Sequence, residues 1–352
     1  MRPAIANINI ENLRHNYRLL SNRAGPAKIM AVVKANAYGH GLSLISSALF
    51  DEGCRDFSVT DANEGRELRQ LLPGAESIVL FSGIFDNEDA RIASEQALTP
   101  TITNNHQLKL LEKAAFSGSV WIKINTGMQR LGADDPAQLM ALCHASSINI
   151  AGIMSHLACA DTPEHPLNRA QAEEFSSLCQ QLDPKLPASL LNSAGLVALP
   201  DEIHNFVRPG LALYGAEPVA MEPLGVRPVM QLTGQVMHVR DISKGVSLSY
   251  GASFTASDNM RVAIISLGYG DGLPRILSNC GHASMQGVLF PIVGRICMDY
   301  CLIDCSAKRL EPGDSVEFWG ESLSASTVSD LADTIPYELF TGVDRRVCRM
   351  AI

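Results

Sequence analysis

Eight short apolar runs recur along residues 28–215 of the 352-residue chain, and segments of helical length separate them. Residues 61–72, 104–116, 136–145 and 166–182 are amphipathic or polar segments of this kind. Alternation of strands and helices is typical of parallel sheets, so eight strand–helix units predict an α/β fold with a (β/α)8 TIM barrel. The predicted strands are residues 29–33, 57–59, 78–81, 98–102, 120–124, 150–154, 189–191 and 206–207.

The chain changes character after about residue 225, where short strand-like segments are punctuated by Gly, Pro, Asn and Asp. This pattern predicts a mainly β C-terminal domain over residues 226–352, with one helical segment near residues 324–333. The barrel domain is then expected over residues 1–225, and residues 10–20 carry an apolar helical stripe within it. Because residues 4–10 alternate apolar and polar side chains, we expect the first ten residues to pack with the C-terminal domain as an added strand.

Composition excludes several classes of function. A formal net charge of -9 and a pI near 5.5 leave no basic surface for nucleic acid or an anionic membrane. No apolar run approaches the roughly 20 residues that span a bilayer, so we expect a cytoplasmic protein. Nine cysteines without a CxxC pair fit reduced thiols, and Cys297, Cys301 and Cys305 are expected to pack in the core rather than to bind a metal.

Lys34 is the first polar residue after the first apolar run, and it begins a polar, Gly-rich turn over residues 34–41. A side chain at the end of a barrel strand is held by a rigid element at the mouth of the sheet. A lysine that is partly desolvated there loses its proton more readily, and a neutral lysine can form a Schiff base with a carbonyl compound such as pyridoxal phosphate. On position alone, a solvated loop lysine is the commoner interpretation.

Other polar residues follow the later strands in the same way. Because active sites of (β/α)8 barrels lie at the C-terminal ends of the strands, these side chains should converge on one site. Taken singly, His156 would more often be a hydrogen-bonded core residue and Ser193 a helix cap. The converging residues are Lys34 and Tyr38 after the first strand, Arg130 after the fifth, His156 after the sixth, Asn192 and Ser193 after the seventh, and Arg208 and Gly210 after the eighth.

Residues 32–41 closely resemble the pyridoxal-phosphate lysine segment of bacterial alanine racemases, which are pyridoxal-phosphate enzymes of fold type III. Further matches to that family follow in the same order along nearly the whole chain, and together they are far more specific than any one motif. The matching segments are residues 125–132, 154–156, 192–193, 207–210, 249–251, 268–272, 297–299 and 336–338.

The resemblance implies a pyridoxal 5'-phosphate site built around Lys34, to which the cofactor is attached. Arg208 is then expected to face the pyridine nitrogen. A guanidinium donates a hydrogen bond but does not readily protonate the ring, so the cofactor is a poorer electron sink, which favours reprotonation over decarboxylation or elimination. The other cofactor residues implied by the resemblance are Tyr38, His156, Asn192, Ser193, Tyr337 and the backbone N–H groups of Gly210 and Leu211.

Racemisation needs one base on each face of the substrate, and the resemblance implies that Lys34 and Tyr250 are these bases. Tyr250 is expected to come from the second subunit, so the active sites of a homodimer are shared between its subunits. Arg130 is expected to bind the substrate carboxylate, and Lys123 to be carbamylated and to fix Arg130. The resemblance also implies that Cys297, Met298 and Asp299 come from the partner subunit, and that Tyr269 narrows the entrance while Tyr337 crowds the substrate methyl.

The expected activity is therefore the interconversion of L-alanine and D-alanine, which supplies D-alanine for peptidoglycan. A racemase of the same fold acting on serine, and a β-lyase activity on cystathionine, are the enzymatic alternatives. A cofactor-binding homeostasis protein is the non-enzymatic one. Such a protein would keep Lys34 but would usually lack the C-terminal domain and its base, Tyr250.

Overall fold

The computed structural model describes residues 3–352. The described part begins with strand β1 (Ala4–Ile8) and helix α1 (Ile10–Ala24). The side chain of Asn9 caps α1 by accepting a hydrogen bond from the Asn12 N–H at 2.9 Å. Leu13 and Leu20 of α1 are fully buried, which confirms the apolar stripe predicted over residues 10–20.

The next eight strands close into a parallel barrel, in which the last strand pairs with the first through Ile29 and Val207. The predicted (β/α)8 barrel is therefore confirmed. A cluster of Met30, Val79, Trp121 and Met154 fills part of its interior. The strands are β2 (Lys28–Val32), β3 (Asp56–Val59), β4 (Ser77–Leu80), β5 (Thr99–Ile102), β6 (Ser119–Lys123), β7 (Asn149–Met154), β8 (Ala188–Asn192) and β9 (Phe206–Arg208).

Helices connect the barrel strands, and local sequence signals explain where several of them begin. Asp61, Asp86 and Asn104 each cap a helix by accepting backbone N–H groups. Pro136 and Pro166 occupy first helical positions, where proline is favoured. The helices are α2 (Lys34–Tyr38), α3 (Leu42–Asp51), α4 (Ala62–Leu71), α5 (Asn87–Glu95), α6 (Asn105–Lys113), α7 (Pro136–Ala145), α8 (Pro166–Leu182) and α9 (Gly195–Ala198).

The rest of the described chain is mainly β, as predicted. Its larger sheet has the order β15-β14-β17-β10-β1-β18, and β13 pairs with both β10 and β16. The strands are β10 (Met230–Ile242), β11 (Ser247–Leu248), β12 (Phe254–Thr255), β13 (Met260–Ile265), β14 (His282–Met285), β15 (Val288–Pro291), β16 (Cys301–Asp304), β17 (Ser315–Trp319) and β18 (Cys348–Ala351). The N-terminal strand β1 lies inside this sheet, between β10 and β18, so residues 4–8 pack with the C-terminal part of the chain. Residues 1–2 of the segment expected to do so lie outside the described residues.

Two helices lie between β17 and β18. The first, α10 (Ala325–Leu331), was predicted, whereas the second, α11 (Pro336–Gly342), was not. Helix α11 packs on the turn that carries Lys34: a Cβ added to Gly39 would lie 1.9 Å from the backbone oxygen of Phe340. Arg349 of β18 also donates a hydrogen bond to the Gly39 carbonyl oxygen at 2.9 Å. The C-terminal part of the chain therefore covers the lysine turn.

Two further findings concern the whole described chain. Between residues 3 and 352, the structure contains no helix that is both long and apolar enough to cross a membrane. Of the three cysteines spaced four residues apart, Cys301 and Cys305 are buried, whereas Cys297 is only partly buried. The prediction of core packing is thus confirmed for Cys301 and Cys305. Cys297 is more exposed because it lies in the loop before β16.

Candidate active site

A cavity of about 680 Å³ lies at the C-terminal ends of the barrel strands. Its volume is in the range of small-molecule sites, roughly 300–1,000 Å³. Eleven of the residues predicted from the sequence line this one cavity. They are Lys34, Tyr38, Lys123, Arg130, His156, Asn192, Ser193, Arg208, Gly210, Leu211 and Tyr337.

Lys34 lies at the mouth of the barrel, two residues after the end of β2, and its side chain is half-buried. Burial lowers the pKa of its amine, the charge of Arg130 lowers it further, and the carboxylate of Glu64 opposes both effects. A lowered pKa increases the fraction of neutral amine near neutral pH. Lys34 is therefore suited to act as a nucleophile or a base.

Arg208 is the most deeply buried cation of the site, with 4% of its surface exposed. Its guanidinium donates hydrogen bonds to the Ser189 hydroxyl at 2.5 Å, to the Ser155 carbonyl oxygen at 2.5 Å and to the Leu190 carbonyl oxygen at 3.0 Å. Burial lowers the pKa of Arg208 to about 10, so the group keeps its charge at neutral pH. These fixed acceptors hold the guanidinium in one orientation.

His156 lies beside Arg208, with 3.3 Å between its Nδ1 and the arginine Nη2. Burial lowers the pKa of His156 well below its ordinary value, and the positive charge of Arg208 adds to the effect. The imidazole is therefore neutral at physiological pH. In that state a ring nitrogen can accept a hydrogen bond from the guanidinium.

Ser193 and Gly210 form a polar corner of the cavity, just after the neighbouring strands β8 and β9. The Ser193 hydroxyl oxygen accepts hydrogen bonds from the N–H groups of Gly210 at 2.9 Å and Ala212 at 3.2 Å. A Cβ at Gly210 would lie 2.7 Å from the Tyr38 hydroxyl, so glycine permits this close approach. Asn192 lies next to the corner, and its side chain accepts the N–H of Gly195 at the start of α9.

Tyr38 of this corner packs against two further tyrosines, stacked on Tyr214 and tilted against Tyr337. The rings of Tyr38 and Tyr214 lie 4.8 Å apart between centroids, and those of Tyr38 and Tyr337 lie 5.6 Å apart. Burial raises the pKa of Tyr38, and it raises the pKa of Tyr337 to about 12. Both hydroxyls of the cavity therefore stay protonated and can donate hydrogen bonds to a bound anion.

Lys123 ends strand β6 on the same side of the barrel as Arg130. Its amine donates a hydrogen bond to the Phe81 carbonyl oxygen at 3.3 Å. Burial lowers the pKa of Lys123 to about 8, and the charges of Arg208, Arg130 and Lys34 contribute to this decrease. Four cationic side chains thus surround the cavity, and none of its lining residues within the described chain is acidic.

A second group of predicted residues lies outside this cavity. Tyr250 is 69% exposed and lines a separate apolar groove with Cys297. The loops of Tyr269 and Cys297 are joined by a hydrogen bond from the Tyr269 N–H to the Cys297 carbonyl oxygen at 3.0 Å. Arg346 contacts Asp299 at 3.1 Å and donates to the Met298 carbonyl oxygen at 3.2 Å. One chain therefore holds Tyr250, Tyr269, Cys297, Met298 and Asp299 in the C-terminal part rather than at the barrel mouth.

Several residues of the cavity were missed by the sequence analysis. Thr60 directly follows the predicted strand 57–59, so a search of the residues after every predicted strand would have found it. Phe81 directly follows β4, but the predicted strand 78–81 included it. Ser189 does not line the cavity but accepts a hydrogen bond from Arg208, and it carries no such signal because it lies inside β8. The other missed lining residues are Val32, Ala35, Ser82, Leu131, Met154, Ile335 and Thr341.

The fold and the site define a class: an enzyme-like (β/α)8 barrel with a lysine and three further cations around one cavity, followed by a β domain. Comparison with known proteins identifies the family. The family model described as "Alanine racemase, N-terminal domain" matches residues 8–218, and the model described as "Alanine racemase, C-terminal domain" matches residues 229–351.

Individual relatives agree with the family models. Alanine racemase of Aeromonas hydrophila is 37% identical to this chain, and the match covers 99% of each protein. The crystal structure of biosynthetic alanine racemase from Pseudomonas aeruginosa has a TM-score of 0.92 at 34% identity over 100% of both chains. That of alanine racemase from Bartonella henselae with covalently bound pyridoxal phosphate has a TM-score of 0.93 at 34% identity over 99% of both. The chain belongs to the alanine racemase family and is an isomerase.

Proposed function

We propose that this protein interconverts L-alanine and D-alanine with pyridoxal 5'-phosphate as cofactor, using Lys34 and Tyr250 of the partner subunit as its two bases. The observation that carries the proposal is the convergence of Lys34, Arg208 and the Ser193–Gly210 corner on one cavity. These groups supply an amine with a lowered pKa, a fixed guanidinium and hydroxyl donors around one small-molecule site. Family membership supports alanine as the substrate.

The residues present fit a phosphorylated aromatic aldehyde. Gly210 lets the backbone approach the Tyr38 hydroxyl, and the short helical turn that follows it, Leu211–Tyr214, begins at the cavity wall. Tyr38, Ser193 and Tyr337 would hold the phosphate, with the backbone N–H groups of Gly210 and Leu211. Lys34 would carry the cofactor, and Arg208 would donate to its ring nitrogen, with His156 and Asn192 beside it.

When bound, the cofactor supplies an electron-withdrawing group that acidifies the Cα–H bond of the substrate. The side chains around the cofactor determine which bond at Cα is broken or formed. Arg208 would donate a hydrogen bond to the ring nitrogen of the cofactor without giving up its proton, which would limit how far negative charge spreads away from Cα. A proton returned to Cα is then favoured over loss of a side-chain or carboxyl group, which supports racemisation over decarboxylation or β-elimination.

Racemisation requires removal of the Cα proton on one face and return of a proton on the other. We assign Lys34 Nζ to one face and the Tyr250 hydroxyl of the partner subunit to the other, with Tyr250 acting on L-alanine. Tyr250 is exposed on a groove of about 560 Å³ whose other lining includes Leu248, Val262 and Leu302. An apolar groove that presents a polar tip supports association with a second copy of the chain.

The substrate contacts follow from the same arrangement. Arg130 offers a planar guanidinium for the substrate carboxylate, and a carbamate on Lys123 would hold Arg130 by a charge-assisted hydrogen bond. Met298, with Cys297 and Asp299, would approach from the partner subunit, where Tyr269 narrows the entrance. Tyr337 of the barrel side limits the space beyond the substrate methyl group. Supply of D-alanine for peptidoglycan is the role we propose for the product.

The test is optical conversion of L-alanine by the purified protein, with and without pyridoxal phosphate, and with L-serine and L-cystathionine in parallel. We expect cofactor-dependent approach to a racemic mixture, with alanine the preferred substrate. A preference for serine would replace the substrate assignment, and release of pyruvate from cystathionine would indicate β-elimination. A cofactor absorbance band without conversion of any substrate would favour a cofactor-binding homeostasis protein and overturn the proposal.

A further inference from the structure

The turn that follows Lys34 has an unusual backbone. Ala35, Asn36, Ala37 and Tyr38 have φ values of 52°, 54°, 52° and 48°, so four consecutive residues other than glycine adopt the left-handed conformation. Each L-residue is disfavoured in this region because its Cβ crowds the following carbonyl oxygen. Surrounding groups must therefore hold the turn in place.

Glu64, near the start of α4, contacts the backbone of Ala35, the residue that follows Lys34. Its Oε1 accepts the N–H of Ala35 at 2.7 Å, and its Oε2 accepts the N–H of Thr60 at 2.7 Å. The Ala35 N–H belongs to the peptide bond between Lys34 and Ala35, so this hydrogen bond fixes the orientation of that peptide. Thr60 directly follows β3, the neighbour of β2 in the barrel. One carboxylate thus joins the ends of two adjacent strands at the lysine.

Glu64 also acts on Lys34 by charge. It is half-buried, and its negative charge raises the pKa of the Lys34 amine while burial and Arg130 lower it. Lys123, which also lines the cavity, is a further cation that interacts with Lys34. Burial raises the pKa of Glu64 itself, as does Asp61, whereas the two N–H groups and Lys34 oppose the shift. Glu64 does not line the cavity, so it reaches the chemistry through Lys34.

We propose that Glu64 is a positioning residue for Lys34: its carboxylate fixes the peptide after the lysine, holds the left-handed turn and provides the negative charge beside the amine. The inference rests on the proposed function only in taking Lys34 as the reactive amine. The hydrogen-bonding role and the charge role of Glu64 can be tested separately. In Glu64→Gln, the side chain keeps an oxygen that can accept a hydrogen bond but carries no charge.

The test compares Glu64→Ala and Glu64→Gln with matched variants of Glu67, which is exposed on the same helix. Two readouts use the protein without cofactor or substrate. The first is hydrogen exchange of the Ala35 amide. The second is the pH profile of acetylation of Lys34 by acetic anhydride, followed by mass spectrometry. The steady-state constants kcat and KM are measured on the holoenzyme.

For Glu64→Ala we expect about tenfold faster exchange at Ala35, because the amide loses its acceptor. The acetylation midpoint of Lys34 should move to lower pH, and kcat should fall by about 10- to 100-fold with a smaller change in KM, since a displaced base reacts poorly. Glu64→Gln should shift the midpoint similarly but restore much of the protection at Ala35. Both Glu67 variants should behave as wild type.

Unchanged Ala35 exchange and an unchanged Lys34 profile in both Glu64 variants would overturn the proposal. If Glu64→Ala does not fold, Glu64→Gln decides alone through the acetylation midpoint. Because exchange and acetylation need no amino acid substrate, a protein that shows both effects but does not racemise alanine would contradict the proposed function and leave the positioning role supported.

Discussion

Lys34 and Tyr250 line different cavities of the same chain. Lys34 lies at the barrel mouth. Tyr250 is exposed on a separate groove, which is lined by the C-terminal end of β10 and by the loop that contains Cys297. A reaction that uses both residues therefore needs a second copy of the chain to bring its Tyr250 to the barrel. In the proposed racemase, the barrel of one subunit would supply Lys34 and the C-terminal part of the other would supply Tyr250.

Ser189 should prove important for Arg208, although it lies inside a strand. Ser189→Ala removes the hydroxyl that accepts from the buried guanidinium at 2.5 Å. We expect the free energy of unfolding to fall by about 1–3 kcal/mol, because a buried charged donor loses its acceptor. Urea unfolding measures this. Ser58→Ala is the matched control, since Ser58 is a fully buried barrel serine with one long hydrogen bond of 3.4 Å, and an equal loss there would contradict the specific role.

Gly210→Ala should weaken binding of pyridoxal phosphate. The added Cβ would lie 2.7 Å from the Tyr38 hydroxyl, so the tyrosine must move from its position between Tyr214 and Tyr337. We expect the Kd to rise by about tenfold or more, as for a local packing conflict of about 1–3 kcal/mol. Titration of the cofactor absorbance measures it. Gly342→Ala, where nothing lies within 4 Å of the added Cβ, should leave the Kd unchanged.

Lys123 should be carbamylated in a pH-dependent manner. Carbamate formation needs the neutral amine, and burial lowers the pKa of Lys123 from 10.5 to about 8, so the neutral fraction grows as the pH rises through about 8. With ¹³C-labelled bicarbonate, NMR should show a carbamate resonance that strengthens over this interval and disappears in Lys123→Met. Lys109→Met removes an exposed lysine and should retain the resonance. If the wild-type spectrum lacks the carbamate resonance, the prediction that Lys123 is carbamylated is wrong.

Arg346 should control the loops that carry Tyr269 and Met298. Its guanidinium contacts the buried Asp271 at 2.9 Å and Asp299 at 3.1 Å, and it donates to the Met298 carbonyl oxygen. For Arg346→Ala we expect KM for alanine to rise by about threefold to tenfold, because loop order at the entrance is lost. Steady-state kinetics measures this, and Arg345→Ala, at an exposed neighbouring position, is the control. Equal KM values for the two variants would contradict the role.

The barrel was predictable because its strands are buried on both faces and therefore appear as continuous apolar runs, as in Ile78 to Leu80 of β4. The polar residues that follow the strands were predictable for the same topological reason. Helix α11 was not, since its seven residues are too few for a clear helical period, although Pro336 at its first position is a start signal.

Two features of the site lay beyond the sequence. The left-handed turn at Ala35–Tyr38 runs against the preferences of Ala and Tyr, and only Asn36 tolerates this conformation, so local propensity points away from it. Ser189 faces Arg208 only because β8 and β9 are neighbours in the closed barrel. The pairing of Lys34 with a partner's Tyr250 came from resemblance to a family, since no residue pattern within one chain encodes it.

A complementation experiment tests the shared site most directly. Lys34→Ala and Tyr250→Phe chains, each with a different affinity tag, are co-expressed, and the mixed dimer is purified through both tags. Because the two-fold axis pairs the native Lys34 of one chain with the native Tyr250 of the other, one of the two sites is intact, and we expect about half of the wild-type kcat from parents that are nearly inactive. A mixed dimer no more active than its parents would contradict the shared site.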